Sequence, residues 1–323
     1  MTSATRPAAR PALCIGTRGS ALALWQAEHV RSELARLHGI ESELVRIRTS
    51  GDQLQSASIA QASAYSSAGK GIFIKEIEDA LLAGTIDLAV HSMKDVPTEI
   101  PRGLVFAAIG RREDPRDCLI SRNNRALKGL PPNARIGTSS LRRQAQLRHL
   151  RPDVQVADLR GNVDTRLRKL DAGEYDAIVL ATAGVNRLGL ASRITQMFNA
   201  DVMLPAIGQG AIGIETRADD GDTSALVAAL NHEETRVCVA AERALMRELE
   251  GGCQVPLGAW AKLNASGEIE IEAGVFSPDG AEAVRRSDRG PASDAEQVGK
   301  RLARSLVSAG ADRILRLAGR SLG

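Results

Sequence analysis

Two segments of the sequence share one design, in which a short apolar run passes through a glycine and hydroxyl turn into a helical pattern. Ile15–Ser20 reads Ile-Gly-Thr-Arg-Gly-Ser, and Ile136–Ser140 reads Ile-Gly-Thr-Ser-Ser. Each places a Ser or Thr where it can cap the helix that follows. The repeat predicts two related α/β domains whose helix N-termini lie at the carboxyl ends of the strands, where open α/β sheets bind ligands. Chance similarity of short turns is the alternative.

The helical pattern after the first turn places apolar side chains on one side, namely Leu22, Trp25, Val30, Leu34 and Leu37. We interpret this side as the face that packs on the sheet.

Two further features indicate how the halves are joined. Arg111–Arg116 is a charged segment with a proline between the halves, and Leu204–Gly210 precedes the apolar run Ala211–Glu215. Two such crossings predict that one strand returns to the first domain and that a ligand cleft lies between the two domains.

The last part of the chain has a different pattern. The pattern predicts a small α+β domain. Its elements are a long helix from about Glu233 to Gly251, strands near 254–262 and 267–275, and a helix from about Asp294. The predicted boundaries are 1–11 for a disordered tail, 12–112 with 211–230 for domain 1, 113–208 for domain 2, and 233–323 for domain 3.

Residues 50–71 are rich in Ser, Ala and Gln and lack periodicity. A stretch of this length inside a compact domain is typically a lid or a disordered insert, and we favour a mobile lid.

Composition excludes several classes of function. The four cysteines are far apart with no Cys-x-x-Cys or Cys/His spacing, which argues against a zinc site and a disulfide framework and favours a reduced, cytoplasmic protein. Aromatic residues make up 2% of the chain and the net charge is only +3, so nucleic acid is a poor partner. No run approaches the ~18 apolar residues of a membrane span. Gly208–Gly213 resembles a dinucleotide motif but precedes a strand rather than a helix.

The arginines are placed where an anion would be bound. The chain has 35 arginines and seven lysines, a bias that genome composition alone could produce. Cations are unfavourable in the first turn of a helix unless an anion is expected there. Several arginines nevertheless lie at or near predicted helix starts or just after a strand: Arg18, Arg142, Arg143, Arg160, Arg166 and Arg187.

Two other residues carry possible chemistry. Asp95 lies in Val90–Pro97, after a predicted strand, and is either a turn cap or a carboxylate that stabilises a cation or transfers a proton. Cys253 follows paired glycines and precedes Pro256, so its thiol is either a small buried group or an accessible one. His91 has the setting of a structural histidine.

Seven motifs run in order from about residue 13 to 262: Ile15–Gln26, Gly69–Lys75, Val90–Pro97, Gly137–Gln144, Leu159–Val163, Leu204–Gly210 and Leu249–Pro256. Together they closely resemble the porphobilinogen deaminase family, also called the hydroxymethylbilane synthases. The segment from Ser56 to Ser67 departs from the bacterial pattern because it has no lysine.

The resemblance implies a transferase of tetrapyrrole (haem) biosynthesis. Four porphobilinogen molecules would be deaminated and joined head to tail on a dipyrromethane cofactor, covalently attached to Cys253 through a thioether. Linear hydroxymethylbilane and ammonia would then be released. The implied fold has two periplasmic-binding-protein-like (type II) α/β domains with a cleft between them, plus a small α+β C-terminal domain. The family expectation is a cytoplasmic monomer with no metal.

The resemblance also implies site residues. Asp95 matches the catalytic aspartate, as proton donor or charge stabiliser. The residues matched to cofactor and substrate carboxylates are Arg18, Ser20, Lys94, Thr138, Ser139, Ser140, Arg142, Arg143, Arg160, Asn162, Arg166 and Arg187, with Gln26, Lys70, Phe73 and Gln209 as additional candidates. Two alternatives are a two-domain receptor for a small carboxylate ligand without catalysis, and a hydrolase with Cys253 as nucleophile.

Overall fold

The computed structural model describes residues 12–51, 74–249 and 256–320. Several predicted features lie outside the described residues: the tail 1–11 and nearly all of the lid 50–71. The same holds for three candidate site residues, Lys70, Phe73 and Cys253.

The strands of the described ranges are β1 (Leu13–Thr17), β2 (Ser42–Arg46), β3 (Leu88–Ser92), β4 (Leu104–Ile109), β5 (Asp117–Ser121), β6 (Arg135–Gly137), β7 (Gln155–Ala157), β8 (Ala177–Ala181), β9 (Gln196–Met197), β10 (Ile212–Arg217), β11 (Leu257–Leu263), β12 (Glu268–Phe276) and β13 (Ala283–Pro291). The helices are α1 (Ala21–His38), α2 (Lys75–Leu82), α3 (Leu141–Leu150), α4 (Val163–Asp171), α5 (Thr182–Arg187), α6 (Gly221–Ala228), α7 (Glu233–Glu248), α8 (Ala295–Ser308) and α9 (Ala311–Arg320).

Two five-stranded sheets have the same topology. Their strand orders are β2-β1-β3-β10-β4 and β7-β6-β8-β5-β9, and the fourth strand of each runs antiparallel to its neighbours. β10 pairs with β3 and β4, so the predicted return of a strand to the first sheet is confirmed. This shared order is the type II periplasmic-binding-protein topology that the resemblance implies.

The predicted strand, turn and helix units are present in both sheets. Ser20 caps α1 by accepting a hydrogen bond from the Ala23 amide at 3.3 Å, and α3 begins directly after Ser140. Val30 and Leu34 of α1 are buried in the core of the first sheet, as predicted. Trp25 and Leu37 were predicted on the same face, but they are 38% and 40% exposed.

The third sheet, β11-β12-β13, is antiparallel and packs against α7 and α8. The predicted α+β character of this region is confirmed. β13 was not predicted, because its sequence Ala-Val-Arg-Arg-Ser-Asp-Arg-Gly-Pro is mostly polar and it lies at the edge of the sheet.

One buried carboxylate joins both crossings to this third region. Glu242, on α7, accepts hydrogen bonds from Arg112 at 2.6 and 3.2 Å and from the backbone amide of Gly208 at 2.7 Å. It also accepts from the Ala261 amide at 2.9 Å. Arg112 belongs to the first crossing and Gly208 to the second, so Glu242 fixes both at one point.

The two crossings also lie against each other at Gly210. This residue has a φ of +90°, and a Cβ there would overlap the carbonyl oxygen of Glu113. Glycine is therefore required by both conformation and space. None of the helices in the described ranges is long and apolar enough to cross a membrane.

Candidate active site

A cavity of about 260 Å³ lies between the two five-stranded sheets, where the sequence predicted a cleft. It is formed at the carboxyl ends of β1, β3 and β8 and at the N-termini of α1 and α4. The predicted site residues that line it are Arg18, Ser20, Gln26, Lys94, Asp95, Arg143, Asn162, Arg166, Arg187 and Gln209. Residues from both five-stranded sheets and from the second crossing therefore line the same cavity.

Asp95 is placed by the short 3-10 turn Met93–Asp95, which follows β3 directly. The Met93 amide donates to the Ala211 carbonyl at 3.0 Å, which fixes the start of this turn to the second crossing. Asp95 is half-buried. It faces the cavity together with Lys94, Arg143 and Arg166.

Two cations near Asp95 lie in an environment that penalises their charge. The pKa of Lys94 is lowered to about 8, mainly by burial and also by Arg143 and Arg166, although Asp95 and Asp117 act in the opposite direction. Burial and then Arg143 lower the pKa of Arg166 to about 10. Both groups would be stabilised by an additional anion in the cavity.

The N-terminus of α4 forms another part of the wall. Asn162 occupies the N-cap position, and its side chain makes no capping bond. Arg166, in the first turns of the helix, donates from Nε to the Gly161 carbonyl at 2.7 Å. Backbone amides, an amide side chain and a guanidinium therefore face the same part of the cavity, a combination that favours an anion.

Arg187 closes the cavity on the side of the second crossing. Its Nη2 donates to the Gly210 carbonyl at 2.7 Å, and its guanidinium lies 5.6 Å from the centroid of the Trp25 ring. Burial lowers its pKa to about 10, so it remains a cation at neutral pH.

Arg143 is oriented by a residue that sequence reasoning missed. Asp117, fully buried at the start of β5, accepts from Arg143 Nε at 3.0 Å and Nη2 at 2.7 Å. It also accepts from Arg142 at 2.6 Å and Gln209 at 2.9 Å. Although burial alone would raise it, the two arginines hold the pKa of Asp117 well below its usual range. An acidic residue opening an otherwise apolar strand was the signal available in the sequence.

Arg142 lies behind the cavity wall, and its contact with a ligand stays a prediction. Its guanidinium is bound to Asp117 and to the Leu204 carbonyl, and it does not line the cavity. The two neighbouring arginines thus have different roles: Arg143 reaches the cavity and Arg142 neutralises the carboxylate behind it.

Four other predicted residues are not in the cavity wall. The Thr138 hydroxyl accepts from the Ser140 amide at 3.2 Å, and the Ser139 hydroxyl accepts from the Leu159 amide at 3.0 Å. Ser140 is the N-cap of α3 without a side-chain capping bond, and Arg160 is exposed. Their contact with a ligand stays a prediction.

His91 belongs to a buried polar group behind the site. Its Nε2 lies 3.0 Å from Glu215 Oε2, with both side chains buried. Burial and then the charge of Glu215 raise the pKa of nearby Glu78 to about 7. His91 and Asp95 also line a smaller space of about 70 Å³ beside the main cavity.

Two family models match the chain. "Porphobilinogen deaminase, dipyromethane cofactor binding domain" matches residues 13–225, which is well over half of the sequence. The chain belongs to the porphobilinogen deaminase family. "Porphobilinogen deaminase, C-terminal domain" matches residues 236–308.

The resemblance drawn from the motifs is confirmed by these matches, as are the predicted activity and cofactor. The chain is accordingly a transferase with hydroxymethylbilane synthase activity in tetrapyrrole biosynthesis and a dipyrromethane cofactor. Within the described ranges there is no group of three or more His, Cys, Asp or Glu side chains that could hold a metal ion.

The chain is also similar to solved structures, all of them distant in sequence. The B. pertussis BvgS periplasmic domain is 13% identical with a TM-score of 0.37, and the match covers 68% of this chain but only 39% of that one. A periplasmic substrate-binding protein of an ABC transporter from Coxiella burnetii is 14% identical, with 72% and 96% covered and a TM-score of 0.42. Immunogenic lipoprotein A from Vibrio vulnificus is 15% identical, with 72% and 99% covered and a TM-score of 0.42.

Proposed function

We propose that Asp95 is the catalytic carboxylate of the hydroxymethylbilane synthase reaction. The observation that supports this most strongly is its position in the cavity, half-buried and adjacent to Lys94, Arg143 and Arg166. Among the described residues of the wall, the second carboxylate is Asp164, which is exposed on the first turn of α4.

Deamination of porphobilinogen needs a group that stabilises positive charge. When the bond between the aminomethyl carbon and nitrogen breaks, ammonia leaves with the electron pair and the pyrrole-bearing carbon becomes cationic. A carboxylate that is already fixed in position stabilises that charge without the reorganisation that water would need. We assign this role to Asp95, together with accepting the proton that is lost when the new carbon–carbon bond forms.

The cations of the cavity are proposed to bind the substrate side chains. Every porphobilinogen carries an acetate and a propionate, and guanidinium groups bind carboxylates through paired hydrogen bonds. Arg18, Lys94, Arg143, Arg166 and Arg187 line the cavity, and Asp117 fixes the orientation of Arg143.

The same residues fit the dipyrromethane cofactor. Two linked pyrroles carry four carboxylates, and the five cations of the cavity, with Ser20 and Asn162, provide donors for them. When bound, this group supplies the pyrrole carbon to which a porphobilinogen is joined. We propose Cys253 as its point of attachment, through a thioether.

The proposal also covers the localisation, the oligomeric state and the domain boundaries. We propose that the protein is a cytoplasmic monomer and that its domain boundaries are those given by the sequence. A Cys253 hydrolase is not favoured, because the nearest histidine in sequence, His232, caps α7 by accepting from the Thr235 amide at 3.3 Å.

Incubation of the purified protein with porphobilinogen tests the proposal. We expect one ammonia released per porphobilinogen consumed and one linear tetrapyrrole formed for every four. Ammonia can be measured enzymatically, and the tetrapyrrole by its absorbance after oxidation. Binding of porphobilinogen without its consumption would instead support the two-domain receptor.

A further inference from the structure

A second groove, of about 610 Å³, adjoins the active-site cavity at Arg187. Arg187 lines both spaces. Helix α1 also runs along both, since its first turns, with Leu22 and Gln26, face the cavity, while Trp25 and His29 face the groove. The opposite wall of the groove includes the first crossing from Gly110 to Glu113. A molecule that extends past Arg187 therefore enters a second, larger space.

An aromatic surface is exposed in this groove. Trp25 and His29 stack with ring centroids 5.3 Å apart and an interplanar angle of 14°. Trp25 is 38% exposed, although aromatic residues make up only 2% of the chain. Flat, electron-rich rings such as pyrroles stack favourably on a surface of this kind.

Two cations of the groove are placed to bind carboxylates. Arg111 is exposed and forms no ion pair with any residue in the described part of the chain, and Arg187 borders the stacked rings. The other two arginines that line the groove already have carboxylate partners. Arg36 pairs with Glu33 at 2.7 Å, and Arg112 pairs with Glu242 at 2.6 Å. Glu113 also lines the groove and acts electrostatically on Arg187. The groove thus combines a stacking surface with the positive charge of Arg111, which no carboxylate of the described residues neutralises.

The size of the active-site cavity favours such a space. Pockets that enclose a drug-sized ligand measure about 300–1,000 Å³, and the cavity, at about 260 Å³, is below that range. The chain that grows on the two-ring primer gains four more rings before release. Most of those rings must therefore lie outside the cavity.

We propose that the groove formed by Trp25, His29, Arg111 and Arg187 is a second oligopyrrole-binding subsite, which holds rings of the growing chain after they leave the cavity. The inference rests on the proposed function. Pyrrole rings stack on Trp25 and His29, and their acetate and propionate groups pair with Arg111 and Arg187. Late additions depend on this subsite, whereas the first addition takes place within the cavity.

The variants Trp25→Ala and Arg111→Ala test this subsite. The protein is mixed with limiting porphobilinogen and quenched at intervals, and the intact masses show how many rings have been added. We expect the first addition to proceed within about two-fold of the wild-type rate, and the third and fourth to be slowed about 3–10-fold, the effect of losing one stacking contact or one carboxylate partner. Trp25→Phe restores most of the rate of the late additions.

Leu82→Ala is the matched control, because Leu82 is an exposed apolar residue at the end of α2, outside the groove. It should leave all four additions unchanged. Equal slowing of every addition in Trp25→Ala, or of none, would overturn the subsite. A wild-type protein that adds no rings would instead contradict the proposed function, so the two failures are distinguishable.

Fluorescence provides an independent measurement. The chain has two tryptophans, Trp25 and Trp260, so Trp25 is the sole tryptophan in the Trp260→Phe protein. Its emission should change when the third and fourth rings are added and remain constant at the first. An emission that stays constant throughout all four additions would contradict the proposal.

Discussion

Asp95→Asn is expected to lower the turnover of porphobilinogen by roughly 100- to 10,000-fold, the range found when a positioned charged or proton-transferring group is removed. Asparagine has nearly the same shape, so Lys94, Arg143 and Arg166 keep their places. The substrate carboxylates should still bind to these cations. The loss therefore appears in kcat, with a much smaller change in KM.

Steady-state kinetics of porphobilinogen consumption measure this effect, and the intact mass of the same sample shows whether the cofactor is present. Asp164→Asn is the control, because it removes the other carboxylate of the cavity wall. Its exposed position predicts a loss of less than about ten-fold. An Asp95→Asn protein that keeps its cofactor and more than a tenth of the wild-type turnover would contradict the role of Asp95.

Asp117→Asn is expected to lower the free energy of unfolding by about 3–5 kcal/mol, because removing one partner of a buried ion pair leaves the other charge uncompensated. Here two buried guanidinium groups, Arg142 and Arg143, lose the same carboxylate. Activity should fall as well, since Arg143 loses the partner that orients it toward the cavity.

Urea denaturation of wild type and variant measures the difference. Asp153→Asn is the matched control, since Asp153 also pairs with an arginine at 2.6 Å but is largely solvent-accessible, and it should cost less than about 1 kcal/mol. Adding Arg142→Met to Asp117→Asn removes one uncompensated charge and should recover part of the loss. If Asp117→Asn and Asp153→Asn cost the same, the buried group does not stabilise the fold as described.

The pH dependence of this difference has a defined sign. The pKa of Asp117 is lower in the folded protein than its ordinary value of 3.8. Its contribution is therefore fully present above that value and is lost as the pH falls below it. The gap between wild type and Asp117→Asn should stay constant from pH 8 to about pH 5 and shrink in stronger acid.

The parts of the site that follow from local sequence were predictable. Short apolar runs followed by glycine or hydroxyl residues predicted the turns after β1 and β6. The same kind of pattern predicted the return of β10 to the first sheet and the position of Asp95 after β3. The placement of Arg143 and Arg166 near helix starts was visible for the same reason.

The parts that depend on contacts distant in sequence were not predictable. Arg142 and Arg143 are adjacent in the first turn of α3, and only the folded position of Asp117, which precedes them in β5, separates their roles. The exposure of Trp25 depends on where α1 passes beyond the edge of the core, since its periodicity is that of a buried residue. Glu242 was likewise undetectable, because the crossings it joins meet only after folding.

The central claim is that the tetrapyrrole is built on a dipyrromethane primer attached covalently to Cys253. The most direct test is to measure the intact masses of the purified wild type and of Cys253→Ser under denaturing conditions. The protein should be produced in a host that makes porphobilinogen. We predict that the wild type alone exceeds its sequence mass, by the mass of two linked porphobilinogen units. A wild type at its sequence mass, or the same excess on Cys253→Ser, would contradict the account.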